Sequence, residues 1–340
     1  MSAPAPVVRP QVQTEKIGVL LLNLGTPDAT DYRSVRRYLK EFLSDPRVIE
    51  TPKWLWWPIL NLAILSFRPQ KSGHAYAQIW DKRTNESPLR VITRAQGDKL
   101  AARLGKDGIV VDWAMRYGNP STQSVLEKMQ AAGCRRILLA PLYPQYSATT
   151  TATANDKAFL ALKDMRWQPA VRTMPAYYND PIYVKTLAES IRQGVEGLDF
   201  EPDVVLTSYH GMPVTYREKG DPYYDQCHET TRLVRDYLGW PEGRLMVTFQ
   251  SRFGRAEWLK PYTAETLEAL PGQGKKKIAI LAPAFSADCI ETLEEIAIGG
   301  RETFLHAGGE KFAYIPCLND TEPGMDMLEA IVRRELLGWI

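Results

Sequence analysis

Three acidic residues are spaced so that they would share one face of a short helix. Asp288, Glu291 and Glu295 stand at positions i, i+3 and i+7 of the stretch "FSADCIETLEEIAIGG" (285–300), directly after an apolar run. Like charges at this spacing repel one another and slightly destabilise a helix. A charge run of this kind is usually a solvated helix face. In a cleft, the same carboxylates would be able to hold a divalent cation or relay protons.

A histidine stands at the end of another apolar run. His210, one of four histidines in the chain, follows the apolar residues 203–209 within "TSYHGMP". A lone histidine is more often structural, but an imidazole can also accept a proton near neutral pH or bind a divalent metal. Carboxylates with an imidazole suit ferrous iron in ligand type, without selecting it over similar ions. The sparse ligand set indicates a metal that is held briefly and passed on.

Short, uniformly apolar runs alternate with longer helical patterns along the chain. Uniform apolarity is typical of parallel strands covered on both faces, and alternation with helices indicates an α/β fold. The predicted strands are "IGVLLLNLG", "VVDWAMRYG", "RRILLAPLY", "DVVLTSYHG", "MVTFQSRFG" and "KKKIAILAPAF". Ligands bind beyond the carboxyl ends of such strands, which is where the acids and His210 would lie.

Motifs of the first half of the chain return in the second half in the same order. "LNLGTP" is echoed by "SYHGMP", "MRYG" by "SRFG", and "RRILLAP" by "KKKIAILAP". The echo predicts two similar α/β halves, each a parallel sheet flanked by helices, with a cleft between them. We expect a flexible tail over 1–15, an N-terminal half over 16–180, and a C-terminal half with a terminal helix over 181–340.

Composition and missing motifs narrow the class of protein. The 340 residues carry a net charge of +2 with no basic block, so nucleic acid is not an expected partner. GxGxxG, GxxxxGK[ST] and GxSxG are all absent, which disfavours NAD enzymes, ATPases and typical hydrolases. The four cysteines form no CxxC pair, and the start lacks signal-peptide features. We therefore expect a cytoplasmic protein in a reducing compartment.

One segment is apolar enough to need its own explanation. "PKWLWWPILNLAILSFRPQK" (52–71) places three tryptophans before an apolar stretch that ends in Arg68 and Lys71. It predicts either a buried helix or a hydrophobic lip over 54–67 that touches a membrane or admits an apolar ligand. No run approaches the ~20 apolar residues that span a bilayer.

Taken together, these motifs resemble the ferrochelatase family over about residues 17–320. The resemblance rests on "GVLLLNLGTP", "RYGNPS", "YPQYSATTT", "SYHGMP" with "GDPY" downstream, "QSRFG", "WLKP" and "FSADCIETLEEI". It implies a chelatase-like fold whose two Rossmann-like halves face a porphyrin cleft. The implied activity, that of a lyase, is insertion of ferrous iron into protoporphyrin IX to form protohaem with release of two protons, the last step of haem biosynthesis.

The resemblance also implies roles for particular residues. His210 and Glu291 match the catalytic pair, and Asp288 and Glu295 extend the acidic line, so these four residues are the candidate metal ligands. Positions similar to macrocycle contacts are Leu24, Arg116, Tyr117, Tyr143 and Trp258, and Phe285 is a further candidate wall of the cleft. The segment 54–67 matches the lip over the cleft, which in some members also rests on a membrane.

Two positions depart from patterns found in the family. Ala148 stands where animal members have a cysteine ligand of a [2Fe–2S] cluster, and the other cysteines do not reproduce the spacing. We therefore predict no such cluster and no permanent cofactor, with iron as substrate. Cys289 stands where some members have histidine, which leaves a third metal contact open, although a thiol is able to serve.

Three alternatives remain at the level of sequence. The first alternative is a chelatase that loads cobalt or nickel into a different tetrapyrrole. Within the family, coproporphyrin competes with protoporphyrin as substrate, and the tryptophan-rich lip favours the less polar protoporphyrin. A non-catalytic haem carrier, ligated by His210 and tyrosines, is disfavoured because a carrier has no need of three carboxylates beside its histidine.

Overall fold

Two parallel four-stranded sheets with the same strand order form the framework of the protein. A computed structural model describes residues 15–254 and 256–340, and most of the predicted tail at 1–15 lies outside this range. The first sheet has the order β2-β1-β3-β4 and the second the order β6-β5-β7-β8. The strands are β1 (Lys16–Thr26), β2 (Val110–Gly118), β3 (Cys134–Pro141), β4 (Ala170–Thr173), β5 (Val204–His210), β6 (Leu245–Gln250), β7 (Lys277–Leu281) and β8 (Lys311–Tyr314). The predicted α/β fold with two similar halves is confirmed.

Helices cover both sheets and connect successive strands. The α-helices are α1 (Tyr32–Leu43), α2 (Lys53–Pro58), α3 (Leu65–Ile79), α4 (Pro88–Leu104), α5 (Thr122–Ala131), α6 (Thr153–Lys163), α7 (Pro181–Glu196), α8 (Val214–Glu218), α9 (Tyr223–Leu238), α10 (Thr263–Ala269), α11 (Arg301–His306) and α12 (Glu322–Glu335). Three π-helices occupy Ile59–Ile64, Ala148–Ala152 and Glu291–Gly300, and short 3-10 turns occupy Gly105–Asp107 and Pro271–Gln273.

The central strands are buried on both faces, as their uniform apolarity predicts. Along β1, Val19 and Leu21 point into one apolar cluster and Leu20 and Leu22 into another, and none of the four is exposed to solvent. This follows from the two-residue repeat of a strand. Val205 of β5 belongs to the same cluster as Val19 and Leu21. One face of each sheet therefore packs into a core that the two halves share.

The terminal helix contributes to this shared core and is held to the first half by charges. Ile331 and Val332 of α12 are buried in it beside Leu100 and Leu104 of α4. Arg103 of α4 pairs with carboxylates of α12, including Asp326 at 2.6 Å and Glu329 at 3.1 Å. The boundary near residue 180 stays a prediction, because α12 packs across it.

The predicted lip comprises most of α2, a π-helix and the first residues of α3, at the surface of the first half. Several of its large apolar side chains are open to solvent: Trp54, Trp57, Leu62 and Phe67 are 79%, 63%, 72% and 79% exposed. Leu60 and Leu65 instead pack beneath it against α1. The segment is thus anchored on one face and apolar on the other. Among the described residues, no helix is both long and apolar enough to cross a membrane.

Candidate active site

His210 ends the central strand of the second sheet, and its ring has a defined orientation. Its Nδ1 lies 2.7 Å from the carbonyl oxygen of Gly211. Because a carbonyl oxygen only accepts hydrogen bonds, Nδ1 carries the proton and donates it. In the neutral ring, Nε2 is then the acceptor nitrogen, the one able to take a proton or coordinate a metal. The side chain is half-buried.

The chain after His210 is held tightly against β6 and Trp258. Gly211 donates its N–H to the Gln250 carbonyl at 2.8 Å, and a Cβ at Gly211 would lie 2.6 Å from that oxygen and 3.1 Å from the Trp258 ring. Only glycine permits this approach. Leu259 N–H donates to Met212 at 2.8 Å, which fixes Trp258 beside the histidine segment.

The acidic stretch begins a π-helix rather than an α-helix. Glu291–Gly300 is π-helical, and Gln250 Nε2 donates to the Glu291 carbonyl at 2.8 Å. Gln250 is also paired across the sheet with His210. One glutamine at the end of β6 therefore connects the histidine with the start of the acidic helix. Such π-helical segments occur disproportionately at functional sites.

Glu295 is bound to the end of β6 and carries a perturbed pKa. Its carboxylate accepts from the Ser251 N–H at 2.7 Å and the Ser251 hydroxyl at 2.5 Å, and Ser251 adopts a left-handed backbone with φ of 63°. Burial raises the pKa of Glu295; the Ser251 hydrogen bonds and the nearby His210 oppose this rise, whereas the Glu291 charge adds to it. Glu295 therefore binds a proton more readily than an ordinary glutamate.

Glu291 lies where the second half meets the carboxyl end of β1. A small pocket is lined by Glu291 and Cys289 from one half and by Gly25, Thr26 and Tyr76 from the other. Burial raises the pKa of Tyr76, and the Glu291 carboxylate raises it further. The ends of β1 and of the second sheet are thus brought together around this carboxylate.

Asp288 has a different environment, and the prediction that it shares the helix face is wrong. It lies in the loop before the π-helix and is 5% exposed. Its carboxylate accepts hydrogen bonds from Tyr314 Oη at 2.6 Å, Asn319 Nδ2 at 2.7 Å and Thr292 Oγ1 at 3.0 Å. Because these donors occupy its oxygens, Asp288 anchors the loop and is not available to a cation in this structure.

The candidate metal ligands are not assembled into a ready-made metal site. Across residues 15–254 and 256–340, no three side chains of His, Cys, Asp or Glu form a group able to hold a metal ion. The four cysteines, Cys134, Cys227, Cys289 and Cys317, are buried and form no disulfide. Burial raises the pKa of the Cys289 thiol, and Glu291 adds to the rise. Cys289 therefore stays a thiol, which is a poor metal ligand.

In the first half, Arg116 and Tyr117 are occupied by a buried aspartate. Asp45, which follows α1, accepts from the Arg116 guanidinium, from Tyr117 Oη at 2.7 Å and from the Thr153 hydroxyl. Burial would raise the pKa of Asp45, but the hydrogen bonds from Thr153, Arg47 N–H and Tyr117, with the Arg116 charge, outweigh it and lower the pKa.

These contacts leave little of Arg116 or Tyr117 for a ligand. Arg116 Nε donates to Thr153 at 2.7 Å, and its guanidinium lies 4.2 Å from the centre of the Tyr117 ring. The Tyr117 side chain is fully buried. The structure therefore gives both residues a structural position, where the sequence led us to expect macrocycle contacts.

The other predicted macrocycle contacts lie in two places. Leu24 packs against the clusters that contain Tyr117 and Tyr143, at the carboxyl ends of β1–β3. Tyr143 Oη and Trp258 Nε1 are buried and have no hydrogen-bond partner among the described residues. Phe285 instead lines a separate pocket between the halves, which His210 and Glu291 do not line.

Arg68 is a candidate that sequence reasoning treated only as the end of the lip. Its half-buried guanidinium lies 4.9 Å from the centre of the Phe253 ring in the opposite half. Within the described chain, its guanidinium has no hydrogen bond or ion pair. Burial lowers the pKa of Arg68, and the Glu291 carboxylate opposes the shift. A cation so placed is suited to an anionic ligand. Its signal in the sequence was an arginine directly after an apolar run.

Solved structures place this architecture in a known class. SirB from Bacillus subtilis superposes with a TM-score of 0.52 over 95% of this chain and 97% of SirB, at 11% identity. A multi-domain protein from Deinococcus radiodurans, described as structurally similar to chelatases, gives a TM-score of 0.53 over 93% of this chain and 54% of its own, at 10% identity. At such low identity these likenesses establish the fold alone, which is that of the chelatases.

Sequence comparison defines the family within that class. The ferrochelatase family model matches residues 16–336. Ferrochelatases from Mesorhizobium japonicum and Allorhizobium ampelinum are 60% and 58% identical, covering 96% and 98% of this chain and 92% and 98% of their own lengths. A third, from Rhizobium meliloti, is 59% identical over 97% of this chain and 98% of its own. The chain belongs to the ferrochelatase family.

Proposed function

We propose that this protein inserts ferrous iron into protoporphyrin IX, forming protohaem in the last step of haem biosynthesis. It is a metal chelatase and therefore a lyase. The observation that supports the proposal best is the connected set at the end of the second sheet. His210 ends β5, and the Gln250 side chain on the neighbouring β6 donates to the backbone carbonyl of Glu291 and to the carboxylate of Glu295. The charges of His210 and Glu291 both act on the pKa of Glu295.

The reaction replaces two protons by one divalent cation. Free-base porphyrin loses two pyrrole N–H protons as Fe²⁺ enters the plane of its four nitrogens, so charge is conserved. We propose that His210 Nε2 accepts one of these protons as general base. Glu291 either meets the incoming cation or takes the second proton. Glu295, whose pKa burial raises, is suited to hold that proton before it reaches solvent.

Substrate binding would use the lip and its arginine. The macrocycle carries two propionates, and the guanidinium of Arg68 is the cation placed at the opening between the lip and Phe253. Charge-assisted hydrogen bonds from a guanidinium to a carboxylate are stronger than neutral ones. The buried, unpartnered Trp258 Nε1 is a second candidate donor. Apolar walls from Leu24 and Trp258 would cover the macrocycle faces.

The exposed face of the lip supports a peripheral membrane contact. Trp54, Trp57, Leu62 and Phe67 of the lip are all largely exposed to solvent, and tryptophan favours the membrane interface. Protoporphyrin is itself poorly soluble in water, so a lip resting on a bilayer would shorten its transfer. We place the protein in the cytoplasm, in contact with the inner face of the membrane. Flotation with lipid vesicles tests this. Wild-type protein is expected to float with the vesicles, whereas the Trp54→Ser/Trp57→Ser variant is expected to remain unbound.

The experiment that tests the function is anaerobic turnover. Purified protein receives ferrous iron or zinc with protoporphyrin IX, coproporphyrin III or sirohydrochlorin in parallel, and loss of free-base absorbance is followed. Fastest turnover of protoporphyrin with iron is the expected result. Preference for coproporphyrin would keep the chemistry but change the assigned substrate. Activity on sirohydrochlorin alone would reject the proposal. No insertion with tight haem binding would identify a carrier.

The proposed role of Arg68 predicts a change in porphyrin affinity. Losing a charge-assisted hydrogen bond costs about 1.5–3 kcal/mol, so Arg68→Ala should raise the KM for porphyrin roughly ten-fold or more. The kcat and the KM for iron should change little. Steady-state kinetics check this, with Arg33→Ala, on the exposed face of α1, as control. An unchanged porphyrin KM in Arg68→Ala would show that Arg68 does not bind the porphyrin.

The cysteines give no support to a bound cluster. All four are buried, and they do not share one site with suitable ligand spacing. We propose that the enzyme works without a permanent cofactor and uses iron only as substrate. Iron and acid-labile sulfide analysis of protein purified without oxygen is the direct test; stoichiometric sulfide would contradict it.

A further inference from the structure

The segment behind His210 is tied to the base of the lip by one tyrosine. His210 is followed by Gly211–Pro213 and then by α8. Tyr216 of α8 donates its hydroxyl hydrogen bond to the Val48 carbonyl at 2.9 Å. Val48 belongs to the first half and lies between α1 and the lip. The bond therefore joins the second half of the chain to the first half.

The first-half end of this bond is a rigid turn formed by residues 45–50. Val48 N–H and Ile49 N–H both donate to the Asp45 carbonyl, at 3.0 Å and 2.9 Å. The Asp45 carboxylate is in turn held by Arg116 and Tyr117 at the end of β2. Because Asp45 bonds the turn to Arg116 and Tyr117, the turn cannot shift without disturbing the carboxyl end of β2.

The second-half end is equally well fixed to His210. Gly211 N–H donates to the Gln250 carbonyl at 2.8 Å, and Val214 N–H donates to the Glu257 carbonyl at 2.9 Å. α8 has only five residues, so its position follows from these flanking bonds. A displacement of Tyr216 would therefore be passed to His210 through the five intervening residues, 211–215.

Tyr216 is the stronger of two links between the turn and α8. The second link, between Lys219 and Glu50, joins side chains that are 63% and 37% exposed. Exposed ion pairs of this kind contribute little. Burial raises the pKa of Tyr216, and the Glu50 charge adds to the rise, so the phenol keeps its proton and remains a donor.

We propose that Tyr216 is a positioning residue that sets the distance between His210 and a porphyrin seated against the first half. The proposal rests on the proposed function. Proton transfer needs the base within hydrogen-bond reach of the pyrrole N–H, and misplacement by about 1 Å can cost orders of magnitude in rate. The macrocycle would lie against Leu24 and the lip, which belong to the same half as the turn at 45–50. A bond to this turn would therefore fix the position of His210 relative to the macrocycle.

The Tyr216→Phe variant tests this by removing one hydroxyl. We expect kcat to fall about five-fold, the factor that a hydrogen bond of ordinary strength is worth, with little change in porphyrin affinity measured by fluorescence quenching. Tyr237→Phe is the matched control, because its hydroxyl meets Glu189 at 3.3 Å on an exposed surface. It should leave both quantities unchanged. Unchanged kcat in Tyr216→Phe would overturn the proposal.

A double-mutant cycle separates positioning from general damage to the fold. If Tyr216 acts through His210, Tyr216→Phe should have no further effect on kcat in a His210→Ala background. An equal loss in both backgrounds would show a merely structural role and overturn the proposal. Hydrogen exchange gives a readout apart from activity: amides of 45–50 and α8 should exchange faster in Tyr216→Phe. An inactive wild type would reject the proposed function, and unchanged exchange would separately reject the link.

Discussion

In each half, a π-helix follows the strand that comes third along the chain, β3 or β7. The two π-helices carry different side chains. The first, Ala148–Ala152, reads "ATTTA" and presents hydroxyls; the second, Glu291–Gly300, presents carboxylates. Both start near the carboxyl end of the strand that precedes them, β3 or β7. The backbone repeat therefore provides two equivalent positions, and only the second carries groups that can hold a cation or a proton.

The Arg-aromatic-Gly motif at the end of each second strand shows the same contrast. In the first half, the Arg116 side chain is 11% exposed and paired with Asp45, and Tyr117 is fully buried. In the second half, Arg252 and Phe253 of the matching motif are each 50% exposed. The arginine and the aromatic residue of the first sheet's end are therefore held by Asp45, whereas their counterparts at the second sheet's end are half exposed.

Replacing His210 should give the largest effect on activity. A general base typically contributes about 10²–10⁴-fold, so His210→Ala should lower kcat by that factor while porphyrin affinity and unfolding free energy stay near wild type. Metal-insertion kinetics and fluorescence quenching check this. His306→Ala, at an exposed position of α11, is the control. A His210→Ala variant with wild-type turnover would show that the carboxyl end of the second sheet does not carry the catalytic base.

Replacing Asp45 should affect stability first. Asp45→Ala leaves the buried Arg116 without its partner, and breaking a buried pair in this way costs about 3–5 kcal/mol of unfolding free energy. Denaturant unfolding measures the loss. Asp156→Ala removes the 2.8 Å pair with Arg47, whose side chains are 42% and 46% exposed, and should cost about 1 kcal/mol or less. Equal losses in the two variants would show that the first sheet's end is not held by its buried charge.

Replacing Glu295 should give a smaller effect that depends on pH. Because the folded protein raises the pKa of Glu295 above the ordinary 4.5, the carboxyl's contribution to stability is fully present below that value. It is lost as pH rises through the raised pKa. The unfolding free energy of wild type should therefore fall relative to that of Glu295→Gln as the pH rises above the ordinary pKa of 4.5. A constant difference over that range would show that Glu295 titrates as an ordinary carboxylate.

Much of this arrangement could be predicted from the sequence because it depends on short-range patterns. Uniformly apolar runs located six of the eight strands in the described residues, whereas the four-residue edge strands β4 and β8 were too short to be recognised. Parallel strands bring their carboxyl ends to one edge. The position of His210 after β5 follows from that rule, and so does the start of the acidic segment after β7. The motif echo predicted two similar halves because each half repeats one folding unit.

The parts that could not be predicted depend on contacts between distant segments. Asp288 left the expected helix face because Tyr314 and Asn319, brought in by β8 and the loop after it, take its oxygens. Arg116 was assigned to a ligand because its partner Asp45 lies 71 residues away in sequence. Nothing local distinguishes an arginine that is paired from one, such as Arg68, that is not.

The central claim is that the carboxylates after β7 perform the insertion chemistry, and Glu291 tests it most directly. Single-turnover insertion of ferrous iron would be followed in porphyrin-saturated Glu291→Gln, with Glu302→Gln, at an exposed position of α11, as control. We predict a loss of at least about 10²-fold in the insertion rate for Glu291→Gln with full porphyrin binding, and none for the control. Wild-type insertion by Glu291→Gln would contradict the account.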